Sequence, residues 1–207
     1  MVTRLPTGVE VLDRRIDGGL PEGSVVAYAT PPASQGELLL YQLTTTRPTL
    51  YITTDRTAEA VTDAFERTRA PVGDPAIRYV RGDAPLENAR RLFRQTSGVV
   101  NVVVDPVDTL ERAERSRYQN FLNELQNHMR NTGGLAVLHC MKGTGAEHRS
   151  VTEHMADVVF DLTLNVKSAE VETRLAVPKF RGGGALRETI KLELAERVEI
   201  DTSRDIA

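Results

Sequence analysis

The sequence has little of several residue types that mark special classes of protein. Its single cysteine, Cys140, excludes an intrachain disulfide. His139, His148 and His154 match no usual spacing of zinc ligands with that cysteine, so we expect no zinc. No apolar run approaches the roughly 18 residues of a membrane-spanning helix, and the N-terminus lacks the apolar core of a signal peptide. These absences predict a cytoplasmic protein that makes no contact with a membrane.

An excess of charge of one sign is also missing. The chain has 26 basic and 29 acidic residues, for a net charge of −3. This balance gives no global attraction to nucleic acid or to an anionic membrane, so any contact with DNA must be local. Lysine is scarce, which makes a lysine in an unusual loop informative. The four lysines are Lys142, Lys167, Lys179 and Lys191.

The composition that remains suits one folded domain. The 207 residues are 40% hydrophobic and 27% charged, which supplies both a core and a soluble surface. Short apolar runs bounded by Gly, Pro or polar residues alternate with helical patterns, as in βαβ units around a mainly parallel sheet. The strands predicted in this part are 25–29, 50–53, 77–80, 99–104 and 135–139.

The pattern changes towards the C-terminus. The clearest helix is predicted over 111–131, where apolar residues recur at steps of three and four before a Gly-Gly pair. After residue 156, strands follow one another without helices, which predicts an antiparallel extension of the sheet. These strands are predicted at 158–166, 171–177 and 189–194, with a hairpin turn at 167–170. We therefore predict one α/β domain over 1–207, made of an N-terminal segment 1–24, an α/β core 25–157, C-terminal strands 158–200 and a tail 201–207.

An ordered set of helix and turn residues precedes the first predicted strand. Residues 8–24 read G-V-E-V-L-D-R-R-I-D-G-G-L-P-E-G-S. Val9, Leu12 and Ile16 form one helical face, the Gly-Gly pair ends the helix, and 21–23 turns the chain into the strand. This arrangement resembles KaiC- and RadA-type members of the RecA-like ATPases; an unrelated helix cap followed by a turn is the alternative. The resemblance covers essentially the whole chain and implies a RecA-like P-loop NTPase fold.

The chain departs from that family at the phosphate-binding loop. In the family, glycine N–H groups surround the phosphates, a lysine reaches the β/γ oxygens, and a Ser or Thr holds Mg²⁺. Here Thr30, Ala33 and Gln35 fall where the glycines belong. Gly36 replaces the lysine, and Glu37 replaces the hydroxyl residue. The full degenerate loop is Thr30, Pro31, Pro32, Ala33, Ser34, Gln35, Gly36, Glu37 and Leu38.

Loss of the lysine predicts that nucleotide binds weakly or not at all. The family's lysine places a compact positive charge on the β/γ-phosphates, whereas Glu37 at a helix N-terminus competes with a phosphate for the same donors. The carboxylate of Glu37 and the hydroxyl of Ser34 leave weak binding of ATP with Mg²⁺ open.

Two acids follow predicted strands where the family has catalytic groups. Asp105 resembles the acid that orients Mg²⁺ through water, and with Glu37 it is a candidate metal ligand; a buried strand that merely ends in Asp is the alternative. Asp55 resembles one of the acids that activate the attacking water, while Arg56 replaces the second. The alternative for Asp55 is an N-cap of a helix over 57–68.

A basic segment near the C-terminus reads P-K-F-R-G-G-G over residues 178–184. It resembles the Lys-x-Arg-Gly segment through which KaiC-like subunits touch the γ-phosphate bound by a neighbour. Lys179 and Arg181 are therefore predicted to act in trans, exposed at the rim and free of internal carboxylate partners. A solvated basic loop is the alternative. The implied partners are further copies of the chain or a KaiC/RadA-like subunit.

The resemblance implies that the loop after the fifth predicted strand, here at about 141–149, corresponds to one that can contact DNA in recombinase members of the family or partners in clock members. Lys142, His148 and Arg149 give it modest positive character, but Glu147 and the lack of an aromatic stacking residue weaken a DNA interpretation. Contact with DNA is not favoured.

These patterns support a ranked set of functions. The leading interpretation is a regulatory or accessory pseudo-ATPase that does not hydrolyse ATP efficiently. A first alternative is an active ATPase in DNA recombination or repair that uses Ser34, Glu37, Asp55 and Asp105. A second is a DNA-associated regulator without nucleotide chemistry.

Overall fold

A nine-stranded sheet is the frame of the structure, a computed structural model that describes residues 3–143, 145–168, 170–194 and 198–200. The strands are β1 (Arg4–Leu5), β2 (Leu20–Pro21), β3 (Val25–Thr30), β4 (Thr49–Thr53), β5 (Ala76–Tyr79), β6 (Asn101–Asp105), β7 (Leu135–Met141), β8 (Val158–Val166), β9 (Val171–Phe180), β10 (Ile190–Leu194) and β11 (Val198–Ile200). The helices are α1 (Glu10–Arg15), α2 (Glu37–Leu43), α3 (Ala58–Arg67), α4 (Pro85–Phe93), α5 (Asp108–Glu111), α6 (Arg115–Thr132) and α7 (Arg149–Met155).

The sheet is parallel over most of its width. Its order is β11-β10-β9-β8-β3-β7-β6-β4-β5, and the strands from β8 to β5 in that order pair in parallel. The strands from β8 to β11 pair antiparallel, while β1 and β2 form a separate ribbon. The predicted α/β class, with a parallel core and a C-terminal antiparallel extension, is confirmed.

Two apolar cores lie on opposite faces of the sheet. Residues of α1, α2 and α3, such as Leu12, Leu39 and Phe65, pack on one face. Residues of α4 to α7, such as Phe93 and Phe121, pack on the other. The parallel strands β3, β4, β6 and β7 are buried on both faces, which explains their continuous apolar sequences, whereas the edge strand β5 is only partly buried. No helix in the described part of the chain is both long and apolar enough to cross a membrane.

Two elements differ in length from the predicted ones because of local hydrogen bonds. The helix predicted over 111–131 begins at Arg115, because the Glu114 side chain accepts from the backbone N–H groups of Ser116 and Arg117 and caps the helix there. The strand predicted over 171–177 continues to Phe180, because Lys179 pairs with β8. The predicted turn at 167–170 lies partly outside the described residues, and the tail 201–207 lies entirely outside them.

Parallel pairing brings four strand ends to one edge of the sheet. Thr53 of β4 pairs with Asp105 of β6, and Thr30 of β3 pairs with Met141 of β7. Open α/β sheets bind ligands at this carboxyl edge, so the loops that follow these strands form the candidate site.

Candidate functional site

Asp105 is the central polar residue of the carboxyl edge. It is 4% exposed, and its carboxylate accepts three side-chain hydrogen bonds. Oδ1 accepts from His139 Nδ1 at 2.6 Å, while Oδ2 accepts from the Tyr51 hydroxyl at 2.5 Å and from Arg56 Nη2 at 2.9 Å. The carboxylate therefore joins β4, β6, β7 and the loop after β4.

These contacts keep Asp105 ionised. Burial raises its pKa, but the hydrogen bond and charge of His139, the Tyr51 hydroxyl and the Arg56 guanidinium outweigh that effect and lower the pKa to about 2. An ionised carboxylate can only accept hydrogen bonds, so the network assigns the bonded proton to Nδ1 of His139.

The hydrogen-bonded line continues from His139 to Thr30. His139 Nε2 lies 2.7 Å from Thr30 Oγ1 and, when the imidazole is neutral, accepts the hydroxyl proton. Hydroxyl, imidazole and carboxylate thus follow in the order found in hydrolase triads. Thr30 is only 2% exposed, so a substrate atom does not reach its hydroxyl in this arrangement. The line connects β3, β7 and β6 at their carboxyl ends.

The loop over residues 30–38 forms a turn that is closed by its own hydrogen bonds. The Ser34 N–H and hydroxyl both donate to the Pro31 carbonyl, at 3.1 and 2.6 Å. The Gly36 N–H is directed to Ser34 Oγ at 3.3 Å, and the Gly36 carbonyl accepts from Tyr28 at 3.0 Å. Two N–H groups that a phosphate would need are therefore used within the protein.

Side chains of the loop residues face in different directions. Pro32, Ala33 and Gln35 are exposed, whereas Glu37 is half-buried and begins α2. Leu38 is buried in the apolar core, so its side chain does not face a ligand.

Gly36 has no room for a side chain. A Cβ on Gly36 would lie 2.7 Å from Thr30 Cγ2 and 3.0 Å from Thr30 Cβ. Thr30 is buried and bonded to His139, so it cannot move aside freely. A residue with a side chain at position 36 is therefore incompatible with the packing of Thr30.

Asp55 reaches the same edge but belongs to a separate, exposed cluster. Its Oδ1 accepts from Thr109 Oγ1 at 3.1 Å, and Thr54 Oγ1 donates to the Pro106 carbonyl at 2.7 Å. The alternative role as a helix cap is taken by Thr57, which accepts from the Ala60 N–H and begins α3. Asp55 is thus accessible, as a general base requires.

Lys179 and Arg181 contact the C-terminal end of α7. Lys179 Nζ donates to the carbonyls of Glu153 and His154 at 2.8 and 2.6 Å. Arg181 donates to the His154 carbonyl at 3.1 Å and pairs with Asp157 at 3.4 Å. The expectation that both cations lack an internal carboxylate partner is wrong for Arg181. The cause is the set of unpaired carbonyls at the end of a helix, which attracts cations.

The cations of the loop after β7 are also paired within the chain. Lys142 forms an ion pair with Asp161. Arg149 pairs with Asp108 at 2.9 Å and with Glu111 at 3.1 Å, and Glu111 is fully buried. The positive character predicted for this loop is therefore largely neutralised.

The residues at the edge do not fit a divalent cation. Within the described ranges, no three His, Cys, Asp or Glu side chains are arranged to hold a metal ion. Mg²⁺ needs free oxygen ligands, and the three hydrogen bonds to Asp105 leave about one of the four acceptor sites of its carboxylate, on Oδ1. His148 and Cys140, which the sequence analysis considered as zinc ligands, are both buried. His148 lies against the Tyr118 ring, and burial raises the pKa of the Cys140 thiol.

Comparison with known proteins shows the family and the fold of the chain. The sequence matches the DUF7125 family, described as a family of unknown function, over residues 4–207. The chain belongs to the DUF7125 family. None of the curated proteins matches it. A solved structure, the KaiC-like protein PH0186 from the hyperthermophilic archaeon Pyrococcus horikoshii OT3, is similar with a TM-score of 0.73 at 17% identity, over 97% of this chain and 100% of that one. The likeness shows that the fold is KaiC-like, of the RecA type.

In this DUF7125 protein, sequence reasoning missed the partners of Asp105. Tyr51 lies inside a buried strand and looks like any core aromatic residue. His139 carries no signal beyond its place at the end of a strand, and Arg56 was noted only as a replacement for an acid. The signal in the sequence for the ion pair between Arg56 and Asp105 is that Arg56 directly follows Asp55, at the edge of the sheet where Asp105 is also expected.

Proposed function

We propose that this DUF7125 protein is a regulatory or accessory pseudo-ATPase with a degenerate phosphate loop, which binds nucleotide weakly or not at all. The observation that carries the proposal is the pairing of Asp105 with Tyr51, Arg56 and His139. A metal-dependent ATPase needs this carboxylate free to orient the hydrated cation. Here the same group holds strand ends together.

The phosphate loop supports the proposal independently. Its glycine positions carry Thr30, Ala33 and Gln35, and its Ser34 hydroxyl is bonded to the Pro31 carbonyl. The half-buried Glu37 adds negative charge where a triphosphate would lie. Both effects act in the same direction and weaken the binding of ATP.

The alternatives gain less from the geometry. Asp55 is accessible as a base, but an active ATPase also needs the metal and phosphate contacts that the closed loop and Asp105 do not offer. A DNA-associated regulator would use the loop after β7, where Lys142 and Arg149 are paired with carboxylates. We propose a further copy of the chain or a KaiC-like subunit as the partner, with Lys179 and Arg181 acting in trans after release from α7.

Calorimetric titration of the purified protein with ATP and Mg²⁺ tests the proposal. We expect no saturable heat at micromolar concentrations, with an active KaiC-like ATPase as the positive control. Tight binding accompanied by hydrolysis, with the hydrolysis but not the binding reduced by Asp55→Asn, would instead establish the active ATPase.

A further inference from the structure

We infer that Arg56 is the permanent counter-ion of Asp105 and takes the place that a divalent cation has in a metal-dependent nucleotide site. The inference rests on the proposed function and adds that this edge of the sheet keeps its structure independently of divalent metal.

The first step is the charge of the buried carboxylate. The Asp105 side chain is 6% exposed, and a buried charge is costly unless it is paired and hydrogen-bonded. Tyr51 is neutral, and His139 is cationic only when protonated. Arg56 is the bonded partner whose positive charge is fixed, at 2.9 Å from Oδ2. Arg56 therefore supplies the charge balance, while the other two supply hydrogen bonds.

The second step is the way in which Arg56 is held. Its backbone carbonyl accepts from Thr53 Oγ1 at 2.8 Å, which fixes the turn directly after β4. Burial lowers the pKa of Arg56, but the charge of Asp105 and the interactions with Tyr41 and Tyr51 together outweigh that effect and raise the pKa, so the guanidinium stays charged. Its side chain is 41% exposed and spans the distance between solvent and the buried acid.

The third step is competition for the carboxylate. A carboxylate has about four acceptor sites, and the bonds to Asp105 use three of them. A divalent cation would find about one acceptor site left, on Oδ1, and would approach a fixed guanidinium of the same sign. Arg56 therefore disfavours the metal by taking one acceptor site and by its charge.

Thermal melting of matched variants tests the inference. We expect the wild type to melt at the same temperature with a chelator and with MgCl₂ or MnCl₂. Arg56→Gln removes the charge, so it should melt several degrees lower in chelator and recover part of that loss with Mn²⁺. Arg56→Lys keeps the charge and should stay insensitive to metal. Arg117→Gln, which breaks the exposed pair with Glu87, is the control and should show no response to metal.

Two results would overturn the inference. One is an Arg56→Gln protein that folds but shows no effect of Mn²⁺ on its melting temperature. The other is bound Mn²⁺ in the wild type that is released by Asp105→Asn. Electron paramagnetic resonance of Mn²⁺ detects it, and this measurement decides if the Arg56→Gln variant does not fold: free Mn²⁺ in the presence of the wild type supports the inference.

The same measurements separate this inference from the proposed function. Tight ATP binding in the presence of a chelator would end the pseudo-ATPase proposal and leave the role of Arg56 intact. Tight binding that requires Mg²⁺ and is lost in Asp105→Asn would end both.

Discussion

At the residue scale, Asp105 is the group on which most of the edge depends. Asp105→Ala leaves the hydroxyl of Tyr51, a ring N–H of His139 and the Arg56 guanidinium without their acceptor. We expect the free energy of unfolding to fall by about 3–5 kcal/mol, the range for breaking a buried charge pair. Urea titration measures it. Asp55→Ala, at an exposed acid, should stay within about 0.5 kcal/mol, and equal losses would contradict the assignment.

The depressed pKa of Asp105 predicts a stability change in acid. The pKa is 3.8 in the reference state and about 2 in the folded protein, so the stabilisation is complete above the first value and is lost as the pH falls to the second. The difference in unfolding free energy between the wild type and Asp105→Asn should shrink by about 2 kcal/mol across that window. Urea titrations at stepped pH measure it; a constant difference would mean that the pKa is normal.

The partners of Asp105 show the limit of sequence reasoning at this scale. The strand that ends in an acid was visible in the sequence, but Tyr51, Arg56 and His139 lie 54, 49 and 34 positions away. They meet because β4, β6 and β7 are neighbours in the sheet. A single sequence does not specify that order or the rotamers that aim the three donors at one carboxylate.

At the element scale, the phosphate loop and its supporting strand constrain each other. The variant Gly36→Lys with Glu37→Thr introduces the lysine and hydroxyl residue of KaiC- and RadA-type ATPases. It should not gain ATP binding, because a Cβ at position 36 meets Thr30. Adding Thr30→Gly removes the obstructing methyl group, so the triple variant should bind ATP more tightly than the double variant. Calorimetric titration compares them. Equal affinity in the two folded variants would show that Thr30 is not the obstacle.

The end of α7 gives a second prediction at this scale. Lys179→Ala with Arg181→Ala removes donors from the carbonyls of Glu153 and His154, so we expect a loss of about 1–2 kcal/mol. Thermal and urea melting measure it. Arg187→Ala, at an exposed arginine after the same glycines, is the control. Unchanged stability of the double variant, with reduced ATP turnover in a mixture with a KaiC-like subunit, would favour the role in trans.

Elements were predictable where apolar periodicity dominates and less so where side chains bond to the backbone. The parallel strands β3, β4, β6 and β7 were predictable because burial on both faces leaves continuous apolar runs; β5 also forms where a strand is predicted, but it is only partly buried at the edge of the sheet. The start of α6 was missed because Glu114 caps it through its own side chain. The extension of β9 was missed because Lys179 and Phe180 pair with β8 only after an irregularity in the register, and the Pro and Gly near them suggested a loop.

At the scale of the whole molecule, the net charge and the pairing of the cations in the loop after β7 disfavour the binding of DNA. The net charge is −3, and the loop after β7 has its lysine and arginine paired with Asp161, Asp108 and Glu111. Phosphate contacts depend on cations that can release the counterions of DNA. Paired cations would first have to leave their carboxylates, and Arg149 would leave the buried Glu111 without its counter-ion, although the Thr152 hydroxyl still donates to it.

We therefore expect little affinity for single-stranded DNA. Fluorescence anisotropy of a labelled oligonucleotide over a series of salt concentrations measures it, and Lys142→Gln should leave the weak signal unchanged. Arg115→Gln, at an exposed arginine on the opposite end of α6 from Gly133, controls for non-specific attraction. Micromolar binding that weakens steeply with salt and is lost in Lys142→Gln alone would show that the loop opens to bind DNA. That result would favour the DNA-associated regulator over the pseudo-ATPase, because it would assign the loop's cations to an external polyanion.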